Sequence, residues 1–271
     1  MAADVKAIAG RLLDAYDRAV LIEPICESEP DFDVDRAYEV LSIIERHRRD
    51  AGWVPVGRKI GFTNRTLWDL YGVSTPLWAR VWDRTLIEAR NATAEVSLAG
   101  LVQPRIEVEV AFRTAAPIAP TDDPMAVLEA AEWIAPAFEI VQCHYPDWKF
   151  ALPDCTAAFG LHGRLIVGPP LQITDVNRME IAEALPLARV TLSRDGEAVD
   201  EGVGSNVLDG PAHALAHLTR VLDQQSQFEP VGPGEVVTTG TITDAWPVES
   251  GQTWTSDYGA LGLAGLTVTF R

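Results

Sequence analysis

The chain has 271 residues and a formal charge of −17, from 39 acidic against 22 basic side chains. That surplus repels phosphate backbones and argues against a nucleic-acid partner, and no apolar run approaches the length of a membrane span. Three cysteines, Cys26, Cys143 and Cys155, lack metal-ligand spacing and suit a reducing cytoplasm better than a disulfide framework.

In chain order, Val5, Ile8, Leu12, Leu13 and Tyr16 form a helical stripe. The opening stretch is amphipathic and contains acids, so it reads as neither a signal nor a transit peptide. A second helix is expected over Asp33–Asp50, with "ERHRRD" as its solvated end and Gly52 as its stop. Between the two, "EPICESEPDFD" has no period and reads as a loop. Strands are expected at Val54–Ile60, Arg105–Arg113, Ala135–Val141, Arg164–Val167, Ala188–Ser193, Glu197–Val199, Glu235–Thr239 and Leu266–Phe270. Asp195–Gly196 gives a hairpin signal. Helices are expected at Arg65–Leu70, Pro124–Trp133, Arg178–Leu185 and Pro211–Gln224. Without regular βαβ alternation or repeats, the class is α+β. A helical cap over residues 1–53 would sit on a mixed, largely antiparallel core over 54–271, the two making one unit.

"QPRIEVEVAF" alternates, so Ile106, Val108 and Val110 share one strand face and Glu107 and Glu109 the other. Two readings stand: a solvent-facing surface, or a metal site. Glu139 lies inside the apolar run of "PAFEIV", where an unpaired carboxylate is costly to bury. Three converging glutamates would repel one another unless a cation such as Mg²⁺ or Mn²⁺ sat between them. Lys59, in "GRKIGFT", is either an edge-strand lysine or a desolvated amine that binds an anion or moves a proton. "VTTGT" places Thr239 and Gly240 at a strand end, either as a plain turn or as groups that approach a carboxylate. His144 follows Glu139 in a proline-interrupted loop, within reach of such a site. His162 has nothing near it to recommend it, and His213 and His217 lack the glutamate of a zinc-protease pattern.

Taken in order, "GRKIGFT", "QPRIEVEV", "PAFEIV" with a following "DW", "GVGSNVLDGP" and "GEVVTTGT" carry a family resemblance. The chain resembles the 2-keto-4-pentenoate (2-hydroxypentadienoate) hydratases and 4-oxalocrotonate decarboxylases of the fumarylacetoacetate hydrolase superfamily. The resemblance implies a mixed β-roll with a helical N-terminal segment. It implies that Glu107, Glu109 and Glu139 bind Mg²⁺ or Mn²⁺ and that Lys59 is an active-site lysine. The activity it implies is metal-dependent addition of water to a 2-hydroxy-2,4-dienoate in ring catabolism. Alternatives are a 2-oxo acid decarboxylase, a C–C hydrolase, or a non-enzymatic partner of a related enzyme. A homo-oligomer is expected, as is association with a related decarboxylase or hydratase. The chain departs from its relatives where many hydratases carry an aspartate, at Leu77, and has Ala158–Phe159 in place of an Asp-Asn pair. Leu77, Trp78 and Phe159 are therefore expected to make an apolar substrate pocket, with His144 or Asp154 taking over proton transfer.

Overall fold

Asp4 accepts hydrogen bonds from the Lys6 and Ala7 amides and opens a helix at Val5–Arg18, and Asp33 caps Val34–Asp50 through the Arg36 amide. The computed structural model describes residues 4–68, 73 and 75–271. The two helices bury Ile8, Leu12 and Leu13 on one side and Ala37, Val40 and Ile44 on the other. No described helix is long and apolar enough to cross a membrane.

Two expectations for this region change. The linker contains a short helix, Ile25–Ser28, whose first amides are bound by the carboxylate of Asp154, far away in sequence. A long-range cap leaves no local signal. The end of the second long helix is only partly solvated. Arg48 is buried, paired with Asp17 at 2.7 Å, and its guanidinium lies 4.4 Å from the Trp53 ring centroid.

The strands are β1 (Pro55–Gly61), β2 (Leu77–Trp82), β3 (Leu86–Glu88), β4 (Thr93–Val96), β5 (Arg105–Thr114), β6 (Ala131–Val141) and β7 (His162–Val167). They continue with β8 (Leu171–Gln172), β9 (Arg189–Arg194), β10 (Glu197–Val203), β11 (Val236–Thr238), β12 (Trp246–Pro247), β13 (Thr253–Asp257) and β14 (Leu266–Phe270). A large mixed sheet runs β2-β1-β11-β5-β6-β7-β3, with β12 on β5 and β8 on β6, and a second sheet runs β10-β9-β13-β14-β4. This is the α+β half-barrel of the expected β-roll, with its helical N-terminal segment. The main core includes Val108, Phe112 and Phe138 of the large sheet, Trp254 and Val268 of the second, and Leu215 and Leu218 of the helix Pro211–Asp223.

Local differences have local causes. The helix from Pro124 stops at Ala130, because Ala131–Trp133 instead extends β6 along β5, with Arg113 opposite Trp133. Arg65–Leu67 forms a 3₁₀ turn, and residues 69–70 of the helix expected there lie outside the described residues. The helix Leu152–Ala157 follows Ala151, whose amide donates to Asp154 Oδ2 at 2.9 Å.

Candidate metal centre

Strand register brings the site together. β5 and β6 are antiparallel, with Glu107 directly opposite Glu139 and Glu109 opposite Ala137. Two strands over, Lys59 of β1 pairs with Thr238 of β11, and Thr238 pairs with Ala111 of β5. Residues on one rung share a face, as do residues two apart on one strand. Lys59, Glu107, Glu109 and Glu139 therefore point to the same side of the sheet. Ile106, Val108 and Ile140 point to the other side, into the core.

The three glutamates each offer a carboxylate oxygen within 4.8 Å of the other two. Glu109 and Glu139 are fully buried, while Glu107 reaches the cavity above them. Each buried carboxylate has one oxygen clamped by a fixed donor, leaving the other to Lys59 in Glu139 and without a partner in Glu109. Glu109 Oε2 accepts from the Gly240 amide at 2.8 Å, and its Oε1 has no hydrogen-bond partner among the described residues. Glu139 Oε1 is 2.7 Å from His162 Nδ1. Its Oε2 pairs with the Lys59 ammonium, with Nζ at 3.0 Å. Buried acceptors without donors are costly. Three acids ionised together beside one lysine would leave negative charge uncompensated, and a hard divalent cation with oxygen ligands suits both deficits.

The electrostatics agree. Burial raises Glu107 to about 7, opposed by Lys59 and reinforced by Glu139. Burial, with Glu139 and Glu107 beside it, holds Glu109 well above the usual carboxylate range. Burial also works against ionised Glu139, but Lys59 and His162 outweigh it and keep that carboxyl low. Burial pulls Lys59 down, and the three carboxylates more than reverse this, so its ammonium is held above the ordinary lysine value.

A cavity of about 220 Å³ opens over Lys59 and Glu107. Thr63, Asn64, Gly240 and Thr241 give it polar wall, while Leu77, Val141, Leu161, Phe62 and Phe150 give it apolar wall. Gly240 has φ +98°, and a Cβ there would lie 1.9 Å from Thr63 Oγ1, so glycine alone lets its amide reach Glu109. Arg105 also lines the cavity, with its guanidinium 4.2 Å from the Trp148 ring centroid. Arg105 was passed over in the sequence, although its place two residues before Glu107 puts it on the same strand face. Trp148, in the 3₁₀ turn Pro146–Trp148, entered only through the "DW" of the family resemblance, and Phe150, just beyond that turn, had no sequence signal.

Several expected site residues lie elsewhere. Trp78 follows Leu77 on β2 and so takes the opposite face, where its ring packs on Phe228 and its Nε1 donates to Gln225 at 2.8 Å. Phe159 does not line the cavity; its ring centroid lies 4.6 Å from that of Tyr16, under the first helix. The Thr239 hydroxyl turns away and donates to the Val110 carbonyl at 3.0 Å. His144 is fixed to the N-terminal segment, with Nδ1 3.1 Å from the Val20 carbonyl, and burial pulls its pKa down. The carboxylate of Asp154 is engaged by the Ile25, Cys26 and Ala151 amides. Neither His144 nor Asp154 lines the cavity. His162, passed over in the sequence, touches Glu139 directly.

Comparison with known proteins follows the same lines. Residues 83–269 match the family model described as fumarylacetoacetate (FAA) hydrolase C-terminal. The chain is 30% identical to a 2-hydroxyhexa-2,4-dienoate hydratase of Comamonas testosteroni, over 96% of this chain and 95% of that one. It is 30% identical to a 4-oxalocrotonate decarboxylase of Pseudomonas sp. strain CF600, over 95% and 92%. Among solved structures, the 4-oxalocrotonate decarboxylase from Pseudomonas putida G7, complexed with magnesium and adipate, superposes with a TM-score of 0.89 at 26% identity. That superposition covers 98% of this chain and 97% of the other.

Proposed function

The chain belongs to the fumarylacetoacetate hydrolase family, and from that premise we propose that it is a divalent-metal-dependent hydratase, adding water to a 2-hydroxy-2,4-dienoate to give a 4-hydroxy-2-oxo acid. The observation that carries this reading is one cavity holding both a three-carboxylate cluster and a buried lysine. Its nearest chemistry is that of relatives named as dienoate hydratases and of a decarboxylase complexed with magnesium.

Glu107, Glu109 and Glu139 would hold Mg²⁺ or Mn²⁺. Bound there, the ion supplies a Lewis acid for negative charge on the 2-oxygen of the substrate. The chain's own residues do the rest. Lys59, its ammonium 3.0 Å from Glu139, pairs with the anionic head of the substrate, gives a proton to the conjugated chain and recovers one from the water that adds. The Gly240 amide fixes Glu109. Leu77, Val141 and Leu161 enclose the tail of the substrate and limit water to the reacting carbon. We also assign the protein to the reducing cytoplasm, given its three free cysteines, and to a homo-oligomer.

One observation favours a second reading, decarboxylation of a 2-oxo dioic acid. Among the described residues, the cavity wall has Leu77 where an acid would help water add, and it offers Arg105 as a cation for a second carboxylate. Incubation of the Mg²⁺-loaded protein with 2-hydroxypenta-2,4-dienoate, and separately with 2-oxohex-3-enedioate, separates the two by product mass. A gain of one water from the first substrate supports the hydratase. Loss of CO₂ from the second, with the first untouched, replaces it with the decarboxylase.

A further inference from the structure

We propose that His162 is a positioning residue for the ion, fixing Glu139 through a bulge in β7 and a hydrogen bond to Thr85. The proposal rests on the metal reading above and extends it to a residue outside the cavity. In a regular pairing of β6 with β7, side chains would alternate strictly. Leu165 opposes Glu139 and Arg164 opposes Ile140, so the next rung would pair Val141 with Gly163 and leave His162 on the Ile140 face. Instead Val141 pairs with His162, and Gly163 is the extra residue. A Cβ at Gly163 would lie 2.6 Å from the Ile140 carbonyl oxygen, which explains why glycine holds this position. The bulge moves His162 onto the face that carries Glu139.

Once there, both ring nitrogens are engaged. Nδ1 is 2.7 Å from Glu139 Oε1, and Nε2 is 2.8 Å from Thr85 Oγ1. Thr85 is itself fixed, accepting from the Trp82 amide and lying within hydrogen-bond distance of the Trp82 carbonyl, each at 3.1 Å. His162 and Thr85 are buried, and neither lines the cavity, so neither touches substrate. Their effect is on Glu139. With Oε1 held by His162, the carboxylate plane of Glu139 is set and Oε2 is the oxygen left free of the ring, on the side of Lys59. Gly240 treats Glu109 the same way from the opposite side, clamping Oε2 and leaving Oε1 bare. Partners of this kind orient metal-binding carboxylates, and removing one typically weakens metal affinity about 10–100-fold.

The test titrates the full chain and three variants with Mn²⁺ by calorimetry, recording the Tm of each without metal. His162→Asn keeps an amide near the Nδ1 position, and His162→Gln moves it to the Nε2 position. Thr85→Val keeps the imidazole but removes its outer partner. The expected result is Mn²⁺ affinity weakened roughly 10–100-fold in His162→Gln, substantially rescued in His162→Asn, and reduced several-fold in Thr85→Val. Wild-type affinity in His162→Gln overturns the proposal, as does an equal loss in the Asn and Gln variants that tracks their Tm. If His162→Gln does not fold, Thr85→Val decides, and unchanged affinity there overturns it. Absence of Mn²⁺ binding by the wild-type chain overturns the metal reading itself, and this proposal with it.

Discussion

Glu107 and Glu139 face each other across paired strands, a register in which like charges destabilise a sheet unless something lies between them. Lys59 offsets only part of that charge from its place 3.0 Å from Glu139. Two effects of Lys59 can therefore be separated. As proton donor it contributes to turnover, and as a fixed cation it competes with any metal. Lys59→Met should lower kcat by at least about 100-fold while metal affinity stays the same or tightens. Parallel steady-state kinetics and Mn²⁺ titration check both halves, and a weaker ion in the variant would show that the lysine helps hold it. His144 sits with the N-terminal helices rather than the carboxylates. His144→Ala should keep kcat within about threefold of wild type, since it lacks the contact that general acid-base catalysis needs. A loss of 100-fold in the same assay would return it to the mechanism.

At the level of elements, the N-terminal helices are part of the site's support. Ile8, Leu12 and Ile44 share one apolar cluster with Leu77, Val141, Cys155 and Leu161, four residues of the cavity wall. Asp154 joins the two parts, capping its own helix and the Ile25–Ser28 helix with one carboxylate. Asp154→Ala should cost about 2–3 kcal/mol by urea denaturation, as expected for buried hydrogen bonds to a charged group. The variant should retain its activity per folded molecule, and an activity loss with unchanged stability would contradict the tether. These contacts also explain what the sequence made legible. The period of two in "RIEVEV" displayed the carboxylate face, and apolar stripes of helical period marked the two long N-terminal helices. Contacts set by tertiary structure were hidden. Examples are the helix at Ile25, capped from the far side of the chain, and β2, whose six residues are all buried, even Arg80, so that it has no exposed face to set an alternation. His162 was hidden for a sharper reason. A strict alternation places it on the wrong face, and only the bulge at Gly163 turns it around.

For the whole molecule, the cluster links protons, metal and stability. Glu107 is raised to about 7 and Glu109 lies well above the usual range, chiefly through burial. The unfolded chain gives up these protons near pH 4.3, whereas the metal-free fold keeps them. Between that pH and about 7 the folded state binds more protons than the unfolded one, so this contribution to stability falls as pH rises. A divalent ion takes the place of those protons. The gap in Tm between Mg²⁺-loaded and metal-free protein should therefore widen from pH 5 to pH 7, as measured by scanning calorimetry. A gap that stays constant would mean that no protons are exchanged at the cluster. Metal binding at the three glutamates is best tested by calorimetric titration of the metal-free chain with Mg²⁺ near pH 6, repeated in two buffers of different ionisation enthalpy. One ion should bind per chain, with a heat that depends on the buffer because protons leave as the ion enters, and Glu139→Gln should abolish binding. Binding that survives this substitution, or no binding by the wild-type chain, would contradict a metal site at the three glutamates.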